Sequence, residues 1–156
     1  MPVYTFTRSQ VVQMPLPDCW AFFSDPRNLE KLTPPELGLR VRSELPAEIY
    51  PGLVIRYTVR PLLRVPLTWL TEITQVRKPE FFVDEQRVGP YRMWHHEHSF
   101  RAVSSVATEV SDRIHYVPPL GPLGAIANAL AIRRQLQRIF DFRRVQLDRL
   151  SRGERL

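Results

Sequence analysis

Cysteine is almost absent from this chain. Cys19 stands alone, so no disulfide can form within the chain. That fits a reducing compartment, and a cytoplasmic location is expected. Cys19 lies between Asp18 and Trp20 in an apolar helical pattern, which reads as a buried structural thiol rather than a nucleophile. Glycine is scarce too. The six glycines form no phosphate-cradling loop, and no GxSxG elbow presents a serine. No run of about 18 apolar residues occurs, so no transmembrane helix is expected. The first residues lack a basic segment followed by an apolar run, so no secretion signal is expected. Lysine is restricted to Lys31 and Lys78, and arginine carries most of the positive charge. The net charge of +6 suits nucleic acid, an anionic membrane surface or acidic ligands. Yet the basic residues are spread out, with no block of about five or six in succession. An RNA- or ribosome-associated module is therefore a third reading, behind small-molecule binding and enzymatic chemistry, and no nucleic-acid partner is expected.

What is present is a globular composition. The chain has 156 residues, 44% hydrophobic and 24% charged, which predicts one domain over 1–156 with a real core. Val3 to Val12 alternates and predicts a first strand, ended by Pro15 and Pro17. Asp18 is placed to cap a short helix carrying Trp20, Phe22 and Phe23. Asp25 or Ser24 is placed to start a second, with Pro26 in its first turn. Six further strands are predicted: Leu39 to Leu45, Leu53 to Arg60, Leu67 to Val76, Phe81 to Val88, Tyr91 to Val103, and Thr108 to Tyr116. Short strands with turn signals between them predict a meandering antiparallel sheet.

A proline-rich break, Pro118 to Pro122, precedes the longest helical signal, about 123–150. Leu123, Ile126, Leu130, Leu136, Ile139, Phe140, Leu147 and Leu150 make a one-sided apolar stripe. At 1.5 Å per residue, ~28 residues span ~42 Å, enough to cross a sheet. Arg133, Arg134, Arg138, Arg144 and Arg149 form the opposite face. They read as a solvated surface with local ion pairs to Asp141 and Asp148; an anionic membrane or RNA surface is the sharper reading.

The stretch from Phe82 to Phe100, FVDEQRVGPYRMWHHEHSF, carries three of the four histidines. It reads as two strands joined at Gly89-Pro90. Trp94, His96, His98 and Phe100 share one face and Met93, His95, Glu97 and Ser99 the other. The first set is expected to be buried. If Gly89-Pro90 and Ser104-Ser105 sit near the centres of their hairpins, Asp84 and Asp112 both fall opposite His96, and Val110 opposite His98. Asp84, His96 and Asp112 would then form one polar cluster, with Thr71 and Gln86 nearby. A bulge in any strand would break this arrangement.

Four strings, YTFTRSQ, FFSDPRNLEKLTPPELG, FVDEQRVGPYRMWHHEHSF and DRIHYVPPLGPLG, resemble the bacterial ligand-binding branch of the SRPBCC superfamily. That superfamily includes START lipid-transfer domains, polyketide cyclases/dehydrases and coenzyme-Q-binding proteins. Ser104-Ser105-Val106 departs from the glycines expected before the last strand. The resemblance implies an α+β helix-grip fold, a curved antiparallel sheet of about seven strands around the C-terminal helix. It also implies a cavity for a hydrophobic or amphipathic small molecule, without saying which, and it covers both carriers and enzymes.

The polar cluster has three readings. The histidine and its carboxylates satisfy one another inside a core. Or they orient a ligand in an apolar pocket whose wall includes Trp69, Thr71, Phe82, Gln86, Trp94, His98, Phe100 and Tyr116, with Leu123, Ala127 and Leu130 from the helix. Or His96 is a general base oriented by Asp84 or Asp112, in a cyclase or dehydratase reaction. For each wall residue, ordinary core packing is the plain alternative. His95 and His115 are expected to be solvated, and Pro90 and Tyr91 to border the mouth. His96 and His98 share a face on which a carboxylate could complete three metal ligands, but such a pair also arises by chance in strands, so neither metal nor cofactor is expected. The expected function is binding, with transport as one use of it; a homodimer is left open.

Overall fold

The structure is a computed structural model that describes residues 2–60, 65–119, 123, 126 and 131–156. Strand β1 (Tyr4–Val12) leads into helix α1 (Leu16–Phe23) and two 3₁₀ turns, Pro26–Glu30 and Pro35–Leu37. Strands β2 (Arg40–Val41), β3 (Val54–Val59), β4 (Leu67–Arg77), β5 (Phe81–Val88), β6 (Met93–Ser104) and β7 (Ala107–Val117) come next, then helix α2 (Arg133–Ser151). The sheet order is β1-β7-β6-β5-β4-β3-β2, with every pair antiparallel. From β2 to β7 each strand pairs with its sequence neighbour, and β1 closes across the chain onto β7. The curved sheet and the long helix make the expected α+β layering.

Local chemistry explains most boundaries. Helix α1 starts at Leu16 because Pro15 precedes it in an extended conformation and Pro17 occupies the first turn. Asp18 therefore lies inside the first turn instead of capping it, contrary to expectation. Asp25 does cap the next segment, accepting from the Arg27 N–H at 3.0 Å, but that segment closes as a 3₁₀ turn. The predicted strand from Leu39 to Leu45 shrinks to two residues: only Arg40 and Val41 pair, with Thr58 and Tyr57. The start of the predicted C-terminal helix falls largely outside the described residues. Leu123 and Ile126 are helical and exposed.

Among the described residues the core has two apolar clusters. One gathers Val12, Trp20, Ile55, Phe82, Phe100, Val110 and Leu147. The other gathers Phe6, Trp94, Ile114, Tyr116, Leu136 and Phe140. On three elements a polar residue separates members of the two clusters. His96 and His98 lie between Trp94 and Phe100, Asp112 between Val110 and Ile114, and Arg143 between Phe140 and Leu147. All four are buried.

Cys19 is fully buried, and burial pushes its thiol up to about 12. Against an ordinary value of ~8.5, the thiolate fraction at pH 8 falls by roughly a thousandfold. Iodoacetamide should label the folded protein about that much more slowly than the urea-unfolded chain. Rapid labelling without denaturant would mean that α1 opens readily from the sheet.

Candidate functional site

The polar band is built by strand alternation. His96 and His98 are two apart on β6, so they share its inner face, with ring centroids 3.7 Å apart. Asp84 pairs with His96 across β5–β6, as the hairpin argument required. Across β6–β7 the register differs from expectation by two residues: Asp112 pairs with His98, and Ile114 with His96. The turn is centred on Ser105-Val106, and the pairing skips Val103 between Ala102 and Ser104. A two-residue shift keeps each side chain on its face, so the cluster survives.

The contacts are short. His96 Nε2–H donates to Asp112 Oδ1 at 2.8 Å, and His98 Nε2–H donates to Asp84 Oδ2 at 2.7 Å. His98 Nδ1 lies 3.1 Å from Asp112 Oδ1 but off the hydrogen-bond axis, and has no other partner among the described residues. His96 Nδ1 is 3.7 Å from Asp84 Oδ2. From α2, Arg143 Nη1 donates to Asp112 Oδ1 at 2.9 Å. Thr71 steadies Asp84 from β4, its hydroxyl 3.4 Å from Oδ1 and 3.1 Å from the Glu85 carbonyl.

Burial opposes ionisation of all these groups, and their neighbours decide the result. Burial alone would raise Asp112; the Arg143 guanidinium and both histidines hold its carboxyl well below the usual range. Asp84 would likewise rise on burial but is held low, chiefly by the His98 hydrogen bond. Burial pushes His96 below its ordinary value, and the charge of His98 adds to this. For His98 burial also acts downward, but Asp112 and Asp84 outweigh it and hold the imidazole above its ordinary value. With His98 as imidazolium and His96 neutral, two carboxylates face two cations, Arg143 and His98. The band is then closed in charge.

One side of this band opens onto a cavity of about 180 Å³ between the sheet and α2. Its wall is mostly apolar. Phe22, Phe23, Leu29, Leu32 and Leu37 come from the segment between β1 and β2. Ile55, Tyr57 and Val59 come from β3, Trp69 and Ile73 from β4, Phe82 from β5, and Trp94 from β6. Leu136, Ile139 and Phe140 come from α2. Asp84, His96, His98 and Arg143 bring their polar groups to it, and Pro90 and Tyr91 border it. Burial raises the phenols of Tyr57 and Tyr91, which keeps both neutral.

No family model matches the sequence, and no curated protein matches it. Solved structures do. Protein Ms6760 from Mycobacterium smegmatis aligns with a TM-score of 0.65 at 18% identity, covering 92% of this chain and 90% of that one. A START superfamily protein from the same organism gives 0.66 at 12% identity, covering 92% and 98%. The Zhui aromatase/cyclase from Streptomyces sp. R1128 gives 0.73 at 12% identity, covering 94% and 92%. The chain has the helix-grip fold.

Within this helix-grip frame, the residues singled out in the sequence separate into groups. Trp69, Thr71, Phe82, Asp84, Trp94, His96 and His98 line the cavity. Asp112 stands behind the histidines and holds them. Phe100 packs against Trp20, Phe23 and Phe82, and Tyr116 stacks on Tyr4; neither reaches the cavity wall. Gln86 also lies away from it. Its amide donates to the Tyr91 carbonyl at 2.7 Å and accepts from the Tyr91 N–H at 3.3 Å, bracing the β5–β6 turn. Leu123 is exposed, and Ala127 and Leu130 lie outside the described residues. His95 and His115 sit on the outer face, bound to Glu85 and Thr5.

Sequence reasoning missed Arg143. Its signal was present: Leu136, Phe140 and Leu147 mark the buried stripe of α2, and position 143 continues their spacing. A charged residue on such a stripe needs a buried partner. The expected pairing of Asp141 and Asp148 with arginines of their own helix is also corrected. Asp141 lies 3.8 Å from Arg8, and Asp148 accepts from Gln10 at 2.7 Å, both on β1. These contacts tie α2 to the sheet.

Proposed function

We propose that this helix-grip protein binds one hydrophobic or amphipathic small molecule in the cavity, oriented by Asp84, His96 and His98. One observation carries the reading: an apolar cavity with a few convergent, buried polar groups on one side, the usual composition of a ligand site. An apolar cavity of about 150 Å³ holds benzene, so 180 Å³ suits a body of one or two rings. Native mass spectrometry of protein purified from its own host without denaturant, followed by organic extraction, tests this. A stoichiometric adduct supports the reading and identifies the ligand class. A clean apo mass, together with no saturable binding of 2-naphthol below about 100 µM, overturns it.

A second reading, a cyclase or dehydratase, is favoured by His96 itself. Its Nε2–H is fixed on Asp112, and the neutral ring lies on the cavity wall with Nδ1 as the remaining acceptor. That is the state a general base needs. His96→Gln tests the second reading: in the binding reading it removes one orienting group and leaves much of the apolar affinity for 2-naphthol intact, whereas in the enzyme reading turnover of the extracted ligand's precursor is lost.

A further inference from the structure

We infer that Asp84, His96 and His98 form a site for one divalent transition-metal ion of the zinc type, with its open position facing the cavity. The first observation is convergence. One ligand atom from each residue lies within 4.8 Å of the other two, on two adjacent strands. Asp84 Oδ2 is 2.7 Å from His98 Nε2 and 3.7 Å from His96 Nδ1. At metal–ligand distances of ~2.0–2.2 Å two donors on one tetrahedral ion lie roughly 3.3–3.6 Å apart, a value that falls between the two Asp84 separations.

The second observation is what holds the rings from behind. The far nitrogens, His96 Nε2 and His98 Nδ1, face the same oxygen, Asp112 Oδ1, at 2.8 and 3.1 Å. A metal-bound histidine usually gives its other N–H to a carboxylate or carbonyl, which fixes the tautomer that offers a lone pair to the ion. Here one carboxylate is placed to do this for both rings. His98 Nδ1 is buried and lacks an aligned partner among the described residues. A small rotation of the ring toward an ion would bring its N–H onto Asp112.

The third observation chooses the side. Arg143 occupies Asp112 at 2.9 Å, so that end already has its cation. Among the described residues, no arginine or lysine forms an ion pair with Asp84, whose other oxygen is steadied by Thr71. In the metal-free form a proton joins His98 Nε2 to Asp84 Oδ2; the ion takes its place and that proton leaves to solvent. Two nitrogens and one carboxylate oxygen suit zinc and its neighbours better than calcium or magnesium. Three protein ligands leave at least one position for water or an acidic oxygen of the cavity's ligand. With Arg143, two carboxylates and a divalent ion, the net charge of the band is +1, which favours an oxyanion there.

The test uses the intact protein, stripped with a chelator and dialysed, and the metals alone. Zn²⁺ is expected to bind with one-to-one stoichiometry in calorimetry. One equivalent of Co²⁺ should give the intense visible bands of a four- or five-coordinate ion. Asp84→Asn and His98→Gln should each weaken Zn²⁺ at least tenfold, while His95→Gln and His115→Gln, on the outer face, leave it unchanged. No saturable Zn²⁺ binding below about 100 µM overturns the site. So does binding that survives both inner variants, or a pale, six-coordinate Co²⁺ spectrum. The Co²⁺ spectrum needs no variant, so it decides even if a buried substitution fails to fold. The inference shares its cavity with the binding reading but needs no organic ligand. Retained 2-naphthol affinity without Zn²⁺ binding removes only the metal, and the reverse result removes only the apolar ligand.

Discussion

Arg143→Met is expected to lower folding stability by about 3–5 kcal/mol. Arg143 and Asp112 are 7% and 5% exposed at their side chains, and 2.9 Å apart. Methionine keeps much of the bulk but leaves a buried carboxylate without the guanidinium that balances it. The pair as a whole contributes far less than this loss, because taking both charges out of water offsets most of their attraction. The double variant Asp112→Asn/Arg143→Met should therefore recover a large part of the loss. Urea unfolding of wild type, both single variants and the double variant measures the coupling. An unchanged midpoint for Arg143→Met would mean that the histidines alone balance Asp112.

Val59→Phe is expected to lower 2-naphthol affinity at least tenfold, about 1.4 kcal/mol, without loss of folding stability. Val59 lies on the inner face of β3 and forms part of the cavity wall. A larger side chain in a packed core costs about 1–3 kcal/mol, through strained rotamers and displaced backbone. One that enters open space meets no such resistance and gains contacts. Fluorescence titration and thermal unfolding on the same samples separate these cases. Stability reduced with affinity intact would mean that the ring has been forced into packing elsewhere, and that Val59 does not border the ligand.

Much of the fold could be read from the chain because strand alternation is a strong, local signal. The inner row Trp94, His96, His98 and Phe100 obeys period two, as does the row Val110, Asp112, Ile114 and Tyr116. What local pattern could not supply was register. Asp112 meets His98 and not His96 because the turn is centred on Ser105-Val106 and Val103 is skipped beside it, and nothing in Ser104-Ser105-Val106 marks either the centre or the residue left out. The segment from Leu39 to Leu45 reads as a longer strand than it forms because Leu39, Val41 and Leu45 suggest alternation, yet they pack against the core with little pairing. Cavity lining was only partly legible. Phe100 and Tyr116 share the face of the residues that line it, but Phe100 is packed among Trp20, Phe23 and Phe82, and Tyr116 against Tyr4 and Tyr91. Arg143 escaped because an arginine in an arginine-rich helix looks like surface until it is placed on the apolar stripe.

The polar band between the two apolar clusters also acts as an index mark. Oily surfaces slide over one another at little cost, since one leucine replaces another. Moving α2 along the sheet by one helical turn, ~5.4 Å, would carry Arg143 away from Asp112 and set its charge among aliphatic side chains. The helix can therefore seat in one register only, and the cavity beside it keeps the shape that register defines. A protein that leaves an open space in its core gives up some of the packing that would otherwise fix its helix; a buried ion pair, far from either end of α2, restores that definition.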